Sequence, residues 1–379
     1  MTARILIFAF LINFACFSCV FASAPKITAK GAILIEAKTG RVIYEKNADT
    51  RLMPASTTKI MTAILALENL RLTDEARVSR EAMYTEAQNM PLDQNDIVSV
   101  ENLLRALLLE SDNGSAVVLA EHMSGSVKKF SRLMNKKAVE IGCENTNFVT
   151  PNGLPNEKHL STARDMAKIS AYAMKNQKFR EIVGEKNLNM FWVFPKHKMA
   201  PLENTNRLLW TFDGITGIKT GWTNAAGGCL AASARRRGLE LIVVVLGSED
   251  ADLRFKEAAE LLEYGFSKVK LHKGPMKEDL KRTAWVKGGQ NHIITAEPVE
   301  DVFYPIIEGD DPKNYSLRCE IPKIVNAPMK KGDKVGELII MYNNKQVGKV
   351  DMVSKTDAAE GFSFLSYFFV GLMYYFGVR

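Results

Sequence analysis

The sequence predicts an α/β fold in the broad sense, an antiparallel sheet flanked by helices, followed by a small C-terminal all-β sandwich domain. Two observations predict the first part. A strand-turn-strand pattern begins near residue 32, and further strands return only after residue 213, with mostly helical patterns between them. A third observation predicts the second part, because beyond residue 271 short alternating segments are separated by Gly, Pro and Asn. Strands at both ends of one unit are expected to share a sheet on which the intervening helices pack.

Length and composition agree with two domains. The chain has 379 residues, of which 46% are hydrophobic and 25% charged, an ordinary balance that argues against general disorder. We expect a first domain over residues 25–268 and a second over residues 272–355. The formal net charge of +7 favours an anionic membrane or wall polymer as a partner, although charge alone identifies none.

The first residues are typical of a secretory signal. Arg4 precedes an uncharged, mostly apolar stretch over residues 5–20, and small residues follow at Ala22 and Ala24. We expect a signal peptide over residues 1–22, since a cut after Ala24 would place Pro25 directly behind the scissile bond. The alternative is a permanent N-terminal membrane anchor.

The five cysteines do not form a disulfide framework. Cys16 and Cys19 lie inside the signal, and Cys143, Cys229 and Cys319 are widely separated. Lipid attachment at Cys16 is a weak alternative, because the three residues before it fit a lipoprotein signal poorly.

The C-terminal segment is as apolar as the N-terminal one. Residues 361–378 carry no charge and are crowded with aromatic side chains. As a helix they would extend about 27 Å, short of a hydrocarbon core of about 30 Å. The sequence therefore favours an in-plane, interfacial membrane anchor over residues 361–379. A spanning helix and a final helix packed on the protein's own core are the alternatives.

Within the first domain, residues 33–35 and 42–44 predict a β-hairpin closed by a Lys38-Thr39-Gly40 turn. Ser56 follows Pro54 and precedes a long apolar run of helical spacing, so it is expected at the start of a buried helix. Further helices are predicted over residues 100–109, 115–122, 130–139, 162–175 and 252–264. Later strands are predicted over residues 217–220, 228–235, 239–247, 292–295, 302–307, 315–321 and 335–342.

Three short motifs occur in order: Ser56-Thr57-Thr58-Lys59, Ser111-Asp112-Asn113 and Lys219-Thr220-Gly221. Together they are the set found in penicillin-recognising serine enzymes. A Ser-x-x-Lys pattern alone means little, and only Ser56 has both Pro-Ala before it and a long amphipathic helix behind it. The same short patterns recur out of order or in other settings at Ser23, Ser126, Ser267 and Lys38.

The chemistry of the first motif is that of an activated serine. A serine hydroxyl needs a base within hydrogen-bond reach, and residues three apart on a helix lie on the same face. Lys59 can therefore meet Ser56 Oγ, and burial near another cation such as Lys219 can keep its amine neutral near pH 7. The alternatives are a plain helix cap for Ser56 and a solvated helix lysine for Lys59.

These motifs resemble the low-molecular-mass penicillin-binding proteins, specifically the D-alanyl-D-alanine carboxypeptidases of peptidase family S11. The phrases over residues 53–56, 152–154, 161–167 and 214–219 resemble family sequence too, so the similarity covers nearly the whole chain. The resemblance implies a β-lactamase/transpeptidase-like catalytic domain, a C-terminal stalk and a membrane-anchoring amphipathic helix. It also implies an exported enzyme on the outer face of the bacterial cytoplasmic membrane, periplasmic in a Gram-negative cell.

The resemblance assigns roles residue by residue. Ser56 would be the acyl-enzyme nucleophile, Lys59 its general base, and Ser111 a proton relay to the departing D-alanine. Asn113 would hold the substrate amide, and Lys219 would orient Ser111 and help to bind the terminal carboxylate.

The remaining residues would line the same site. Thr220 and Gly221 would share the edge strand with the lysine of the third motif. Backbone N–H groups of Ser56 and Trp222 would form the oxyanion hole, and Arg254 would lie near the carboxylate end. The implied partners are peptidoglycan peptide stems, with β-lactams as inhibitors. No cofactor and no nucleic acid are expected.

Three rival functions remain open. A class A β-lactamase needs a Glu-x-x-Leu-Asn signature, and the match at residues 185–189 lies in the wrong place, so we interpret it as a helix end and turn. An endopeptidase of the same family is poorly separated from a carboxypeptidase by sequence. An inactive wall-binding scaffold is disfavoured because all the motifs are present. The five histidines are dispersed, so no metal site is predicted.

Overall fold

The computed structural model describes residues 24–361 and 364–376. Up to residue 268 the chain mixes helices and strands. The helices are α1 (Lys59–Asn69), α2 (Arg80–Met83), α3 (Val100–Leu108), α4 (Asn113–Ser124), α5 (Val127–Ile141), α6 (Ala163–Ala173), α7 (Gln177–Gly184), α8 (Leu208–Thr211) and α9 (Leu253–Lys268). The strands are β1 (Gly31–Glu36), β2 (Val42–Lys46), β3 (Glu75–Arg77), β4 (Ile97–Ser99), β5 (Asn187–Phe191), β6 (Met199–Glu203), β7 (Ile215–Thr223), β8 (Gly227–Arg236) and β9 (Leu239–Ser248).

A five-stranded antiparallel sheet in the order β2-β1-β9-β8-β7 forms the centre of this domain. Successive side chains of a strand face opposite sides, so β1 contributes to two cores. Ile33 and Ile35 pack with the helices α1 and α6, whereas Leu34 packs with α9 on the other face. The predicted antiparallel sheet flanked by helices is confirmed, and β7 lies at its edge.

The predicted elements are present, with ends set by local caps. The helix predicted over residues 130–139 runs over Val127–Ile141, because Ser126 caps its first turn and Gly142, at φ +90°, ends it. The short antiparallel strand pairs β3–β4 and β5–β6 were not predicted in the helical middle of the domain. The interpretation of residues 185–189 as a helix end and turn is only half right: α7 ends there, but β5 begins at Asn187.

The C-terminal domain is all β, as predicted. Its strands are β10 (Val269–Lys273), β11 (Arg282–Lys287), β12 (Ile293–Pro298), β13 (Phe303–Ile307), β14 (Tyr315–Glu320), β15 (Ile324–Asn326), β16 (Lys334–Tyr342) and β17 (Lys345–Ser354). Six strands form a sheet in the order β14-β16-β17-β12-β11-β15, and β10 pairs with β13. Val286, Leu338 and Met352 of the larger sheet share a core with Tyr304 of β13. The β10, β11, β15 and β17 strands were not among those predicted.

The turn between β1 and β2 joins the two domains. Arg41 donates hydrogen bonds to both carboxylate oxygens of Asp310 and to the hydroxyl of Tyr315, and its guanidinium lies 4.2 Å from the ring centroid of Tyr342. On the same turn Lys38 pairs with Glu300 at 2.6 Å. The Arg41 contacts are largely screened from solvent, so they hold the junction more firmly than an exposed ion pair does.

The last helix, α10 (Phe364–Tyr375), packs one side against the C-terminal domain. The ring of Phe369 stacks on Trp285 with 4.7 Å between centroids, and Val370 is buried. Large apolar side chains elsewhere on this segment are exposed, namely Phe364, Leu365, Tyr367, Phe368, Leu372, Tyr375 and Phe376. Among the residues that the structure describes, no helix has the length and apolar character needed to cross a membrane. The predicted signal over residues 1–22 lies outside the described residues.

Candidate active site

Ser56 lies in a tight turn that leads into the first long helix. Residues Ala55–Thr58 form a 3-10 turn, and α1 follows at once with Lys59. Two side chains form hydrogen bonds with the backbone of this segment. Thr57 Oγ1 donates to the carbonyl of Pro54 at 2.6 Å, and Thr58 Oγ1 donates to the carbonyl of Ala55 at 2.7 Å. The two threonines between Ser56 and Lys59 therefore help to fix the position of the serine.

Lys59 is fully buried and is directed at the serine. Its Nζ lies 2.9 Å from Ser56 Oγ, 2.7 Å from Asn113 Oδ1 and 2.8 Å from the carbonyl oxygen of Asn152. Burial lowers the pKa of Lys59 to about 7, against the opposing effect of the Asp112 carboxylate. Near neutral pH the amine can therefore lose a proton and accept one from the serine hydroxyl.

A buried histidine, His159, contacts the Ala55–Thr58 turn through the side chain of Thr58. His159 Nδ1 accepts hydrogen bonds from the backbone N–H groups of Val149 and Thr150, at 3.0 and 3.2 Å. The ring proton is thus assigned to Nε2, which lies 2.9 Å from Thr58 Oγ1. Burial lowers the pKa of His159 to about 4, so the ring is neutral at pH 7. No role was predicted for this histidine from the sequence, and the structure shows that it supports the turn.

The second motif lies in the loop between α3 and α4. Ser111 has φ +62° and lines the cleft beside Ser56. Asn113 is the first residue of α4, and its side-chain amide is already engaged. Oδ1 accepts from Lys59, while Nδ2 donates to the carbonyls of Glu86 and Ala87 at 2.8 and 3.2 Å. A hydrogen bond from Asn113 Nδ2 to a substrate would therefore replace one of these contacts.

The third motif lies on the edge strand β7. Lys219 is 1% exposed, and its Nζ donates to the carbonyl oxygen of Thr220 at 3.1 Å. Burial first, and then the nearby charges of Lys59 and Arg254, hold the pKa of Lys219 well below its usual value. The hydroxyl of Thr220 is 2.6 Å from that of Thr205, a cleft residue that no sequence motif marked.

Two glycines allow the backbone to close around the serine turn. A Cβ on Gly221 would lie 2.9 Å from the backbone nitrogen of Ser56, closer than real Cβ contacts allow. A Cβ on Gly153, at φ +84°, would lie 2.0 Å from the carbonyl oxygen of Ala55. The turn is therefore held between the edge strand and the loop that follows residue 150.

Predicted site residues from all three motifs line one open cleft of about 580 Å³, namely Ser56, Ser111, Asn113, Thr220 and Gly221. Trp222, 43% exposed, and Arg254 lie along its wall. The guanidinium of Arg254 donates to the carbonyl oxygen of Gly221, and its buried Nε has no hydrogen-bond partner within the described part of the chain. The structure thus brings all the predicted site residues together. It adds lining residues that carried no recognisable signal, among them Glu86, Asn89, Glu110, Pro155, Thr205 and Asn224.

The rival patterns fall elsewhere. Glu185, the glutamate of the β-lactamase-like signature, lies at the end of α7 and pairs with Arg105 at 3.1 Å, away from the cleft lining. Ser126 caps α5, and Ser267 lies at the end of α9.

Comparison with known proteins finds the same family along most of the chain. A family model described as D-alanyl-D-alanine carboxypeptidase, Peptidase S11, matches residues 19–250, and one described as penicillin-binding protein 5, C-terminal domain, matches residues 266–360. The D-alanyl-D-alanine carboxypeptidase DacF of Bacillus subtilis is 32% identical over 87% of this chain and 85% of its own length. The corresponding DacA of Haemophilus influenzae is 33% identical over 89% of this chain and 86% of its own length.

Solved structures agree. Penicillin binding protein 5 from Haemophilus influenzae is 31% identical, with a TM-score of 0.66 over 89% of this chain and all of the other. The D-alanyl-D-alanine carboxypeptidase DacD from Francisella tularensis is 28% identical, with a TM-score of 0.65 over 89% of this chain and 95% of the other.

Proposed function

The chain belongs to the peptidase S11 family of D-alanyl-D-alanine carboxypeptidases, and on that basis we propose that Ser56 is its nucleophile. The protein is a serine-type D-alanyl-D-alanine carboxypeptidase and a low-molecular-mass penicillin-binding protein. It removes the terminal D-alanine from peptidoglycan pentapeptide stems, which limits cross-linking, and β-lactam antibiotics acylate it. The observation that carries the assignment of Ser56 is the 2.9 Å contact between its Oγ and the fully buried Nζ of Lys59.

In the acylation step, Ser56 Oγ attacks the carbonyl carbon of the penultimate D-alanine while its proton passes to Lys59 Nζ. The C–N bond to the terminal D-alanine then breaks. Ser111, which lines the same cleft, would relay the proton taken up by Lys59 to the departing nitrogen, so that the lysine amine is neutral again. Water next attacks the ester with the help of the same base, which releases the shortened peptide and restores Ser56.

The substrate carboxylate is proposed to bind at the β7 side of the cleft. Arg254 supplies positive charge, and Lys219 Nζ and the Thr220 hydroxyl are further donors. Among the described residues the buried Nε of Arg254 has no hydrogen-bond partner, which supports this placement, since a buried donor without a partner costs free energy that a bound anion would recover.

The oxyanion of the tetrahedral intermediate is proposed to lie between the backbone N–H groups of Ser56 and Trp222. The close approach of Gly221, the residue before Trp222, to Ser56 N supports this placement.

Both ends of the chain are proposed to determine its location. Residues 1–22 would be a signal peptide, and residues 361–379 an in-plane anchor on the outer face of the cytoplasmic membrane. The exposed aromatic side chains of α10, a helix of 12 residues, favour an interfacial position. We assign the catalytic domain to residues 25–268 and the stalk domain to residues 272–355.

Intact-mass analysis after incubation with benzylpenicillin tests the assignment of Ser56, together with D-alanine release from a D-Ala-D-Ala peptide. We expect a stable penicilloyl adduct and D-alanine release from the wild type, and neither from Ser56→Ala. An adduct that persists in Ser56→Ala would contradict the assignment. Rapid penicillin turnover without peptide cleavage would instead indicate a β-lactamase.

A further inference from the structure

The middle residue of the second motif has no assigned role, yet its carboxylate is fully buried beside the site. Asp112 Oδ2 accepts a hydrogen bond from the backbone N–H of Ser115 at 2.6 Å and so caps α4. Oδ1 accepts from the backbone N–H groups of Asn89 and Met90, at 2.8 and 3.0 Å. One side chain thus ties the Ser111 loop to a segment more than twenty residues earlier in the sequence.

That earlier segment is one wall of the cleft. Residues 86–92 form no helix or strand, yet Glu86, Ala87 and Asn89 line the cleft. Besides Asp112, this wall is attached to the Ser111 loop through Asn113 and through the bond from Asn89 Nδ2 to the Glu110 carbonyl at 2.6 Å. Without regular secondary structure, the wall depends for its position on these contacts and on the burial of Met90 and Leu92 in the core.

We propose that Asp112 is a positioning residue of the carboxypeptidase reaction, which holds the wall over residues 86–92 at the distance from Ser111 that productive binding of the peptide requires. The inference rests on the proposed function. A carboxylate suits this role because it offers acceptor oxygens in both directions, whereas an asparagine offers one acceptor and one donor. Asp112→Asn can therefore keep the cap of α4 or the bonds to the wall, but not both.

The charge of Asp112 also affects the pKa of Lys59, the proposed base. It raises the pKa of Lys59, against the lowering effect of burial. Lys219 from β7 is a further charged group near Lys59, and the pKa of Lys219 is in turn affected by Arg254 from α9 and Glu110 from the Ser111 loop. Removing the Asp112 charge should lower the pKa of Lys59 further. The acid limb of the kcat/KM profile should then move to lower pH, an effect that a merely structural role would not produce.

A matched control exists in Asp165, a buried carboxylate on α6. It accepts hydrogen bonds from the backbone N–H groups of Glu144 and Asn145, in a loop that does not line the cleft. Asp112→Asn and Asp165→Asn should lose similar thermal stability. Only Asp112→Asn should lose at least tenfold in kcat/KM for D-alanine release and in the rate constant for penicillin acylation.

The proposal is overturned if the two variants lose equal activity at equal melting temperature. If Asp112→Asn does not fold, Asn89→Ala takes its place, because this exposed side chain bonds the wall to Glu110 without a part in the core. We expect it to lose two- to fivefold in kcat/KM, and wild-type activity would overturn the proposal. Failure of the proposed function would show separately, as absence of D-alanine release by the wild type.

Discussion

The same three residues, Lys-Thr-Gly, occur twice in this chain and do different things. At residues 38–40 they form the turn between β1 and β2, where the Lys38 side chain is 60% exposed and pairs with Glu300 of the C-terminal domain. At residues 219–221 they lie on β7, where Lys219 is 1% exposed and the next two residues, Thr220 and Gly221, line the cleft of Ser56. A short motif therefore carries chemistry only when the fold buries its lysine beside the reacting groups.

The largest expected difference between the two segments lies in their lysines. Lys219→Ala removes a preorganised donor and positive charge from the site, so kcat/KM should fall on the order of 10²- to 10³-fold. Lys38→Ala should stay within about twofold of the wild type, because its exposed ion pair is far from the chemistry. Steady-state kinetics on a D-Ala-D-Ala peptide measure both. Equal losses in the two variants would remove the basis of the comparison.

The glycines should differ next. Gly221→Ala forces a Cβ to within 2.9 Å of Ser56 N, and overpacking of about 1–3 kcal/mol should slow acylation roughly 5- to 100-fold. Gly40→Ala meets no atom within 4 Å, so its cost is limited to the backbone strain of a residue at φ +67°. Penicillin acylation rates test this pair. A fully active Gly221→Ala would mean that the strand can move away from the serine turn without loss.

The pH dependence of kcat/KM tests the role of Lys59 as the general base. The pKa of Lys59 is lowered to about 7, so the amine is neutral above that pH and protonated below it. We expect kcat/KM to fall about tenfold per pH unit below 7, as a single group takes up its proton. Lys38→Ala should leave this profile unchanged, and a profile flat down to pH 5 would contradict the role of Lys59.

The smallest effect is expected at the domain junction. Arg41→Ala breaks the shielded bonds to Asp310 and Tyr315 and should cost about 1.5–3 kcal/mol of stability, whereas Lys38→Ala should cost less than about 1 kcal/mol. Thermal unfolding measures the difference. Release of D-alanine from a short soluble peptide should be unaffected by Arg41→Ala, and a large loss there would mean that the junction acts on the cleft.

The parts of the fold that could be predicted from the sequence are those with a regular spacing of apolar residues or a recognisable motif. The hairpin around Lys38, the helix behind Ser56 and the strand of Lys219 each carry a local pattern, so their place followed from sequence. The wall over residues 86–92 carries none, since its shape comes from distant partners such as Asp112 and Asn113. The neutral state of His159 likewise depends on burial that only the folded chain provides.

The strand order has a consequence for how the molecule is made. Because β1 pairs with β9, Gly31 lies beside Leu246, its partner from the far end of the domain. Contacts that close such long loops form slowly. During synthesis, the serine turn and α1 emerge long before β7 and β9, against which they must be assembled. The first half of the chain thus has no finished sheet to fold onto, and a polypeptide truncated before residue 248 should show no penicillin acylation at all.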